Sequence, residues 1–266
     1  MSYFKGKTIW ITGASSGIGE ALVKALSAEN ANIILSARNV SQLENVQREA
    51  GLTEDNSLVL PLDLADMKEI DTITSKAIAR FGRIDILFNN GGISQRSLAI
   101  DTKLEVDRTL MEVNYFGTLA ITKSVLPHMI KAQSGLIVVT SSIAGKFGFY
   151  LRSAYSASKH ALQGYFETLR MELHDQHIRI LLVCPGKIAT HISENALTAN
   201  GSSNNRMDVA QVRGMTAEDC ASHILKGIRS GKDELMIGSG KEHFAILMKR
   251  IFPRLFSIMI RKQKAE

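Results

Sequence analysis

Short apolar runs alternate with longer stretches of helical periodicity from the first residues onward. TIWIT, NIILSA, LVLPLDL and IDILFNN are separated by IGEALVKALSAEN, by a helical pattern beginning near Ser41, and by MKEIDTITSKAIARFG. Apolar runs of this length, bounded by turn residues, predict strands buried on both faces, and the i, i+3, i+4 spacing between them predicts amphipathic helices. The alternation continues through a helical pattern from about Lys103 to Lys131, the strand GLIVVTSS, a helix from about Ser153 to Asp175 and the strand IRILLVCPG. Repeated βαβ units of this kind wind a parallel sheet with helices on both faces, an α/β doubly wound domain.

Beyond the sixth strand the period is lost. Between Thr190 and Gly214 the chain turns polar around ANGSSNN, which predicts a mobile loop or lid (190–214). AEDCASHILKGIRSG and ELMIG then restore a helix and a strand, bringing the sheet to about seven strands in one domain spanning residues 1–266. A C-terminal extension (241–266) follows. In it EHFAILMKRIFPRLFSIMIRKQK sets Phe244, Leu247, Phe252, Leu255 and Ile258 among Lys249, Arg250, Arg254, Arg261 and Lys262. Charge interrupts it too often for a bilayer span, and Pro253 splits it into two short helices. Two destinations fit: packing on its own or a neighbouring subunit, or lying in a membrane interface with its bases on acidic head groups.

Composition narrows this picture only slightly. Hydrophobic residues make up 45 % and charged residues 22 %, which excludes a disordered or disulfide-built chain. The net charge of +6 gathers largely between Lys241 and Lys264, so it is a local feature and no nucleic-acid partner is expected. Cys184 and Cys220 have neither metal-site nor redox-pair spacing and fit a reducing compartment. An apolar strand close to the N-terminus leads to the expectation of a cytoplasmic protein without a leader. The seven histidines form no ligand pattern, and no metal is expected.

TGASSGIGEAL follows the first strand and opens the first helix. Gly13, Gly17 and Gly19 let the backbone approach a pyrophosphate, and the helix N-terminus offers free N–H groups to it. The spacing is GxxxGxG, so the dinucleotide reading rests on mechanism and not on the common GxGxxG pattern. The second strand ends at Ala37 and Arg38, where an NAD-binding domain would carry an acidic residue for the ribose hydroxyls. A guanidinium there suits a 2′-phosphate, so NADP(H) is the expected cofactor. Asp63, at the end of the third strand, is placed to accept from the adenine amino group, and Asn90, Gly91 and Gly92 after the fourth strand line the adenosine side.

At the other end of the domain, SAYSASKHAL sets Tyr155 and Lys159 one helical turn apart, among small neighbours that admit a ligand. An ammonium beside a phenol favours the phenolate, which predicts a Tyr155 pKa lowered toward neutrality and a poised acid/base. Ser142 ends the fifth strand, where its hydroxyl reaches a carbonyl or alcohol oxygen. Asn114 is a polar amide among Leu110, Val113 and Phe116 that needs a partner if buried, and a water that relays protons is one candidate.

TGASSGIG, Asp63, NNGG, Asn114, Ser142, YSASK and PGKIAT, in this order, resemble the short-chain dehydrogenase/reductase family over nearly the whole chain. The resemblance implies a Rossmann-type fold and an NADP(H)-dependent oxidoreductase that moves hydride between nicotinamide and a carbonyl or secondary alcohol. It implies Tyr155 as proton donor and acceptor, Lys159 on the nicotinamide ribose and the tyrosine, Ser142 on the reacting oxygen and Asn114 on a relay water. It also places Ser15, Ser16, Ile18 and Leu64 on the cofactor, with Pro185, Gly186, Ile188 and Thr190 about the nicotinamide. Gly91 departs from the alanine usual in NNAG, and Ser16 stands where some NADP-using relatives carry a base, which leaves Arg38 as the main phosphate reader. NNGGISQRSLAIDT and VLPHMI resemble the branch of the hydroxysteroid dehydrogenases and dehydrogenase/reductase member 7, which implies an apolar steroid-, retinoid- or quinone-like substrate. A homodimer or homotetramer is expected. A non-catalytic NADP(H) sensor or scaffold and a 3-oxoacyl reductase remain alternative readings.

Overall fold

The structure, a computed structural model, describes residues 2–66 and 68–261. Lys262 and Lys264, two of the bases read in the C-terminal extension, lie outside the described residues. Seven parallel strands form one sheet: β1 (Thr8–Thr12), β2 (Asn32–Ser36), β3 (Ser57–Val59), β4 (Ile86–Asn89), β5 (Gly135–Thr140), β6 (Ile178–Pro185) and β7 (Glu234–Ile237). Their order is β3-β2-β1-β4-β5-β6-β7, the doubly wound arrangement the alternating pattern predicts.

Both faces of the sheet are covered. Side chains alternate along each strand, so in β1 Ile9 and Ile11 face one helical layer and Trp10 faces the other. The first layer holds α1 (Gly17–Ser27), α2 (Val40–Glu49) and α8 (Ala217–Arg229), whose Leu22, Leu26, Leu43, Val46, Cys220 and Ile224 are buried with Ile9. The second holds α3 (Ile70–Phe81), α5 (Gly117–Ala132) and α6 (Ser153–Glu172), with Ala77, Ile121, Val125, Leu162 and Phe166 against Trp10. Ile, Leu and Val dominate because a doubly covered strand has no solvent side on which to place a polar residue.

The expected helix from Lys103 to Lys131 is interrupted. α4 (Leu104–Met111) passes through a π-turn at Glu112–Phe116 before α5 begins. The wider turn is centred on Asn114 and displaces it from the regular hydrogen-bond ladder, a device found at functional positions in helices. Asp63 also differs from its expected place: β3 ends at Val59, and single bonds from Leu60 N–H to the Leu35 carbonyl (2.9 Å) and from Leu62 N–H to the Ala37 carbonyl (3.1 Å) carry the chain on beside β2.

The lid is tied down and not free. Arg96 N–H donates to the Leu197 carbonyl at 2.8 Å and Leu197 N–H to the Ser94 carbonyl at 2.8 Å, a fragment of parallel ladder with the segment after β4. A short helix α7 (Val209–Val212) follows, and Ile188 bridges Met215 at the lid's base. The composition of ANGSSNN hides this, because backbone bonds carry no side-chain signature. The extension forms the two predicted helices, α9 (Gly240–Ile251) and α10 (Pro253–Ile260), with Pro253 at the first position of the second. Met248 and Phe256 are buried against Ile143 and Phe147 of the same chain, while Phe244, Leu247, Ile251, Phe252, Leu255 and Ile258 are exposed.

Candidate active site

The sheet order reverses between β1 and β4, and the loops that leave these strands part in opposite directions. The crevice they open, at the carboxyl ends of the strands, is a cleft of about 650 Å³. It runs from Arg38 and Asp63 past Gly13, Ser15, Ser16, Gly17 and Ile18, then Leu64, Asn90, Gly91 and Gly92, to Ser142, Tyr155, Lys159, Pro185, Gly186, Ile188 and Thr190.

The phosphate end is built from backbone brought unusually close. Gly13 has φ +64°, a conformation that favours glycine, and a Cβ there would lie 2.8 Å from the Gly91 Cα. A Cβ on Gly19 would sit 2.1 Å from the Gly13 carbonyl oxygen, so the start of α1 can press against the turn only because Gly19 lacks one. Thr12 Oγ1 accepts from the backbone N–H groups of Asn90 and Gly91 at 3.0 Å each, and Asn90 Nδ2 donates to the Thr12 carbonyl at 3.2 Å. The β1 and β4 loops are thereby fixed to each other. Ser16 caps α1 in extended geometry with no side-chain capping bond, which leaves the first N–H groups of the helix for a ligand. This cradle fits a dinucleotide pyrophosphate. A methyl group at Gly91, the departure from NNAG, would meet Leu64 Cδ1 at 2.6 Å.

Arg38 lies exposed along the cleft just past β2, and Asn39 beside it caps α2 by accepting from Gln42 N–H. Asp63 spends Oδ1 on the Ala65 N–H at 3.0 Å. Its second oxygen is left for an amino group.

At the chemical end, Tyr155, Ser142 and Lys159 converge. Tyr155 is 7 % exposed and Lys159 4 %. Lys159 Nζ stands 5.8 Å from the centre of the Tyr155 ring and donates to the Thr140 carbonyl at 2.8 Å. Burial lowers its pKa to about 8. The expectation of a depressed Tyr155 pKa is not met by the protein's own groups: burial pushes it up and outweighs the Ser142 hydrogen bond and the Arg152 and Arg96 charges, which pull it down. The cations that act on the phenol are therefore these arginines, and Lys159, which the sequence nominated, exerts no resolved effect on it.

Asn114 is wholly buried. Its Oδ1 accepts from Ile93 N–H at 2.8 Å, and its Nδ2 donates to the Ile93 carbonyl at 2.9 Å and to Ser158 Oγ at 3.0 Å. The amide thus ties the strand β4 exit to α6. Ser142 Oγ accepts from Ala144 N–H at 3.0 Å and faces the Pro185 carbonyl at 3.4 Å. Thr190 packs its methyl against Gly17, closing the lid base over the cradle.

Sequence reasoning missed Gln95, Arg96 and Arg152. Gln95 is fully buried and its Oε1 accepts from the backbone N–H groups of Ala154 and Tyr155 at 2.9 and 3.4 Å, capping α6 from a distant loop and fixing where the tyrosine starts. The sequence gives the polar residues of ISQRS no site role, and only the fold shows Ser94 and Gln95 turned inward.

Residues 7–201 match the family profile for short chain dehydrogenases. The chain belongs to the short-chain dehydrogenase/reductase family. Within that family it lies in the dehydrogenase/reductase member 7 branch. It is 40 % identical to "Dehydrogenase/reductase SDR family protein 7-like" of Anopheles gambiae, over 99 % of this chain and 84 % of the relative. It is 44 % identical to "Dehydrogenase/reductase SDR family member 7" of Homo sapiens, over 86 % of this chain and 69 % of the relative. Among solved structures, a short-chain dehydrogenase from Streptomyces avermitilis superposes with a TM-score of 0.82 at 28 % identity, covering 97 % of this chain and 95 % of the other. A short-chain dehydrogenase/reductase is a nucleotide-binding oxidoreductase, which agrees with a cleft that has a phosphate cradle at one end and the hydroxyls of a buried Tyr155 and a half-buried Ser142 at the other.

Among the described residues no group of histidine, cysteine and carboxylate side chains is arranged to hold a metal ion. Both thiols are buried and pushed up to about 12 by burial, so they stay protonated and unreactive.

Proposed function

We propose that the protein is an NADPH-dependent carbonyl reductase, working as an alcohol dehydrogenase in reverse, with an apolar carbonyl compound as substrate. The observation that carries this reading is the convergence of Tyr155, Ser142 and Lys159 at the end of the cleft opposite the Gly13–Gly19 cradle. NADPH over NADH is supported by Arg38, which stands on the ribose side with no ion-pair partner among the described residues and no carboxylate in its place.

NADPH, when bound, supplies the hydride to the carbonyl carbon. Ser142 and Tyr155 hold the carbonyl oxygen between two hydroxyl groups. As charge develops on that oxygen, the Tyr155 O–H gives up its proton to it, leaving an alcohol and a phenolate. A phenol whose pKa is raised by burial holds its proton until the oxygen demands it, and the Arg152 and Arg96 charges then stabilise the phenolate. Lys159, whose ammonium stands 5.8 Å from the ring centre and whose pKa is lowered by burial to about 8, returns the proton from solvent.

We further propose a cytoplasmic homo-oligomer; the two buried free thiols Cys184 and Cys220 suit a reducing compartment. The exposed apolar face of α9 and α10, with Lys249, Arg250 and Arg254 beside it, supports peripheral contact with an anionic membrane. No described helix is long and apolar enough to cross one.

The test is a panel of ketones, aldehydes and quinones assayed by NADPH oxidation, with Tyr155→Phe in parallel. Turnover is expected to fall at least about a thousandfold in the variant while NADPH affinity stays within about threefold. Nucleotide binding without turnover of any carbonyl compound would point to a sensor on the same fold.

A further inference from the structure

Two arginines and one carboxylate stand together beside Tyr155. Arg96 leaves the segment after β4 with its side chain only 6 % exposed. Its Nε donates to Asp208 Oδ1 and Oδ2 at 3.2 and 3.1 Å, and its Nη1 donates to the Gln95 carbonyl at 2.6 Å and to Ser94 Oγ at 3.1 Å. Arg152, the residue before α6, donates through Nη2 to the same Asp208 Oδ2 at 2.9 Å. Two guanidiniums thus share one carboxylate. No other carboxylate pairs with either of them among the described residues, so this wall of the cleft keeps one net positive charge.

Removing a charge from water is costly, and a partly buried cation is ordinarily matched by an anion. The unmatched charge stands where both arginines act on the Tyr155 phenol. The shared carboxylate belongs to the lid. Gln211, on the short helix that follows it, lines the same cleft, is 7 % exposed and has an amide oxygen without any hydrogen-bond partner. This oxygen is an acceptor and suits an N–H or O–H of a ligand. Next to these polar groups the cleft wall is apolar, with Ile93, Val113 and Leu197.

We propose that Arg152, with Arg96 beside it, forms an anion subsite, and that the substrate is an oxo acid: an apolar body bearing the reducible carbonyl and a carboxylate. On binding, the substrate carboxylate takes the Arg152 fork in two parallel N–H···O bonds, and Asp208 stays with Arg96. Each guanidinium then has its own anion, and the lid remains closed over a bound substrate. This inference rests on the carbonyl-reductase reading and narrows its substrate class.

The probes are medium-chain oxo fatty acids, with the ketone at successive positions, and their methyl esters. Each is measured in two ways: NADPH oxidation, and thermal stabilisation of the NADP-loaded protein. The acid is expected to be preferred over its ester by about tenfold or more in both. Arg152→Gln lowers that preference about tenfold by removing a positive charge, and Asp208→Asn raises it by removing the competing negative one. A tether that only holds the lid would shift the preference in the same direction in both variants, or in neither, and that result overturns the subsite. Equal handling of acid and ester by the wild-type protein overturns it as well, while turnover of both leaves carbonyl reduction intact. Preferential stabilisation by the acid that depends on Arg152, without turnover at any ketone position, upholds the anion subsite and rejects carbonyl reduction.

Discussion

The two ends of the cleft are held in different ways. The cradle from Gly13 to Gly19 is fixed by backbone contacts too close for any side chain, bound to the β4 exit through Thr12 and Asn90. The lid from Thr190 to Gly214 is fixed by a short ladder at Leu197 and by the shared carboxylate of Asp208. Steric fixation has no alternative arrangement to move to. An ion pair can be exchanged for another ion pair at little net cost, because the same desolvated charges are matched before and after. A site that must take the same dinucleotide at every turnover and admit and release a second molecule is well served by this division.

The comparison breaks first at the cradle. Gly19→Ala drives a methyl group into the Gly13 carbonyl, and backbone cannot yield as a flexible side chain can. NADPH affinity is expected to fall at least about a hundredfold, with a stability loss of about 1–3 kcal/mol. Fluorescence titration and thermal melts measure both, and a variant that binds NADPH normally would show that the turn is looser than its contacts imply.

A charge change in the same half acts more selectively. Arg38→Asp replaces attraction by repulsion at the 2′-phosphate and is expected to move the NADPH:NADH preference about a hundredfold toward NADH, with thermal stability unchanged because the side chain is exposed. If the two affinities keep their ratio, Arg38 is a solvated surface residue and the cofactor preference is set elsewhere.

The smallest effect sharpens the contrast at the chemical end. Lys159 has a pKa near 8 in the fold and about 10.4 when unfolded, so the unfolded chain binds more protons between these values and stability rises with pH across that window. The cost of holding the ammonium in its buried site is fully present below about pH 8 and disappears toward pH 10.4. Lys159→Met is therefore expected to be more stable than the wild-type protein at pH 7 by about 1–3 kcal/mol and to lose that advantage by pH 10, while turnover is abolished. Melts of both proteins across this range, without nucleotide, test it. An advantage independent of pH would mean that packing, and not charge, is what the substitution improves.

Trp10 and Tyr155 show how much the sequence holds on its own. The strand around Trp10 is legible because a doubly covered strand must be apolar throughout, and the helix around Tyr155 because its small residues and i, i+4 pair repeat at the helical period. Local periodicity and glycine chemistry are properties of neighbouring residues, so they fixed the α/β alternation and the cradle, while the joint role of Ser142, Tyr155 and Lys159 was legible only through the family resemblance. What tertiary structure alone decided is the company these residues keep. Gln95 caps a helix that begins 58 residues later, Arg96 meets a lid carboxylate across 112 residues, and Asn114 lies in a π-turn pinned to Ile93. No local rule marks a polar residue in a loop as buried, because its burial depends on which distant segment comes to cover it. The sign of the Tyr155 shift follows from the same cause: the lysine one turn away is visible in the chain, whereas the desolvation that outweighs every nearby cation exists only once the lid, the β4 exit and α6 have closed around the phenol.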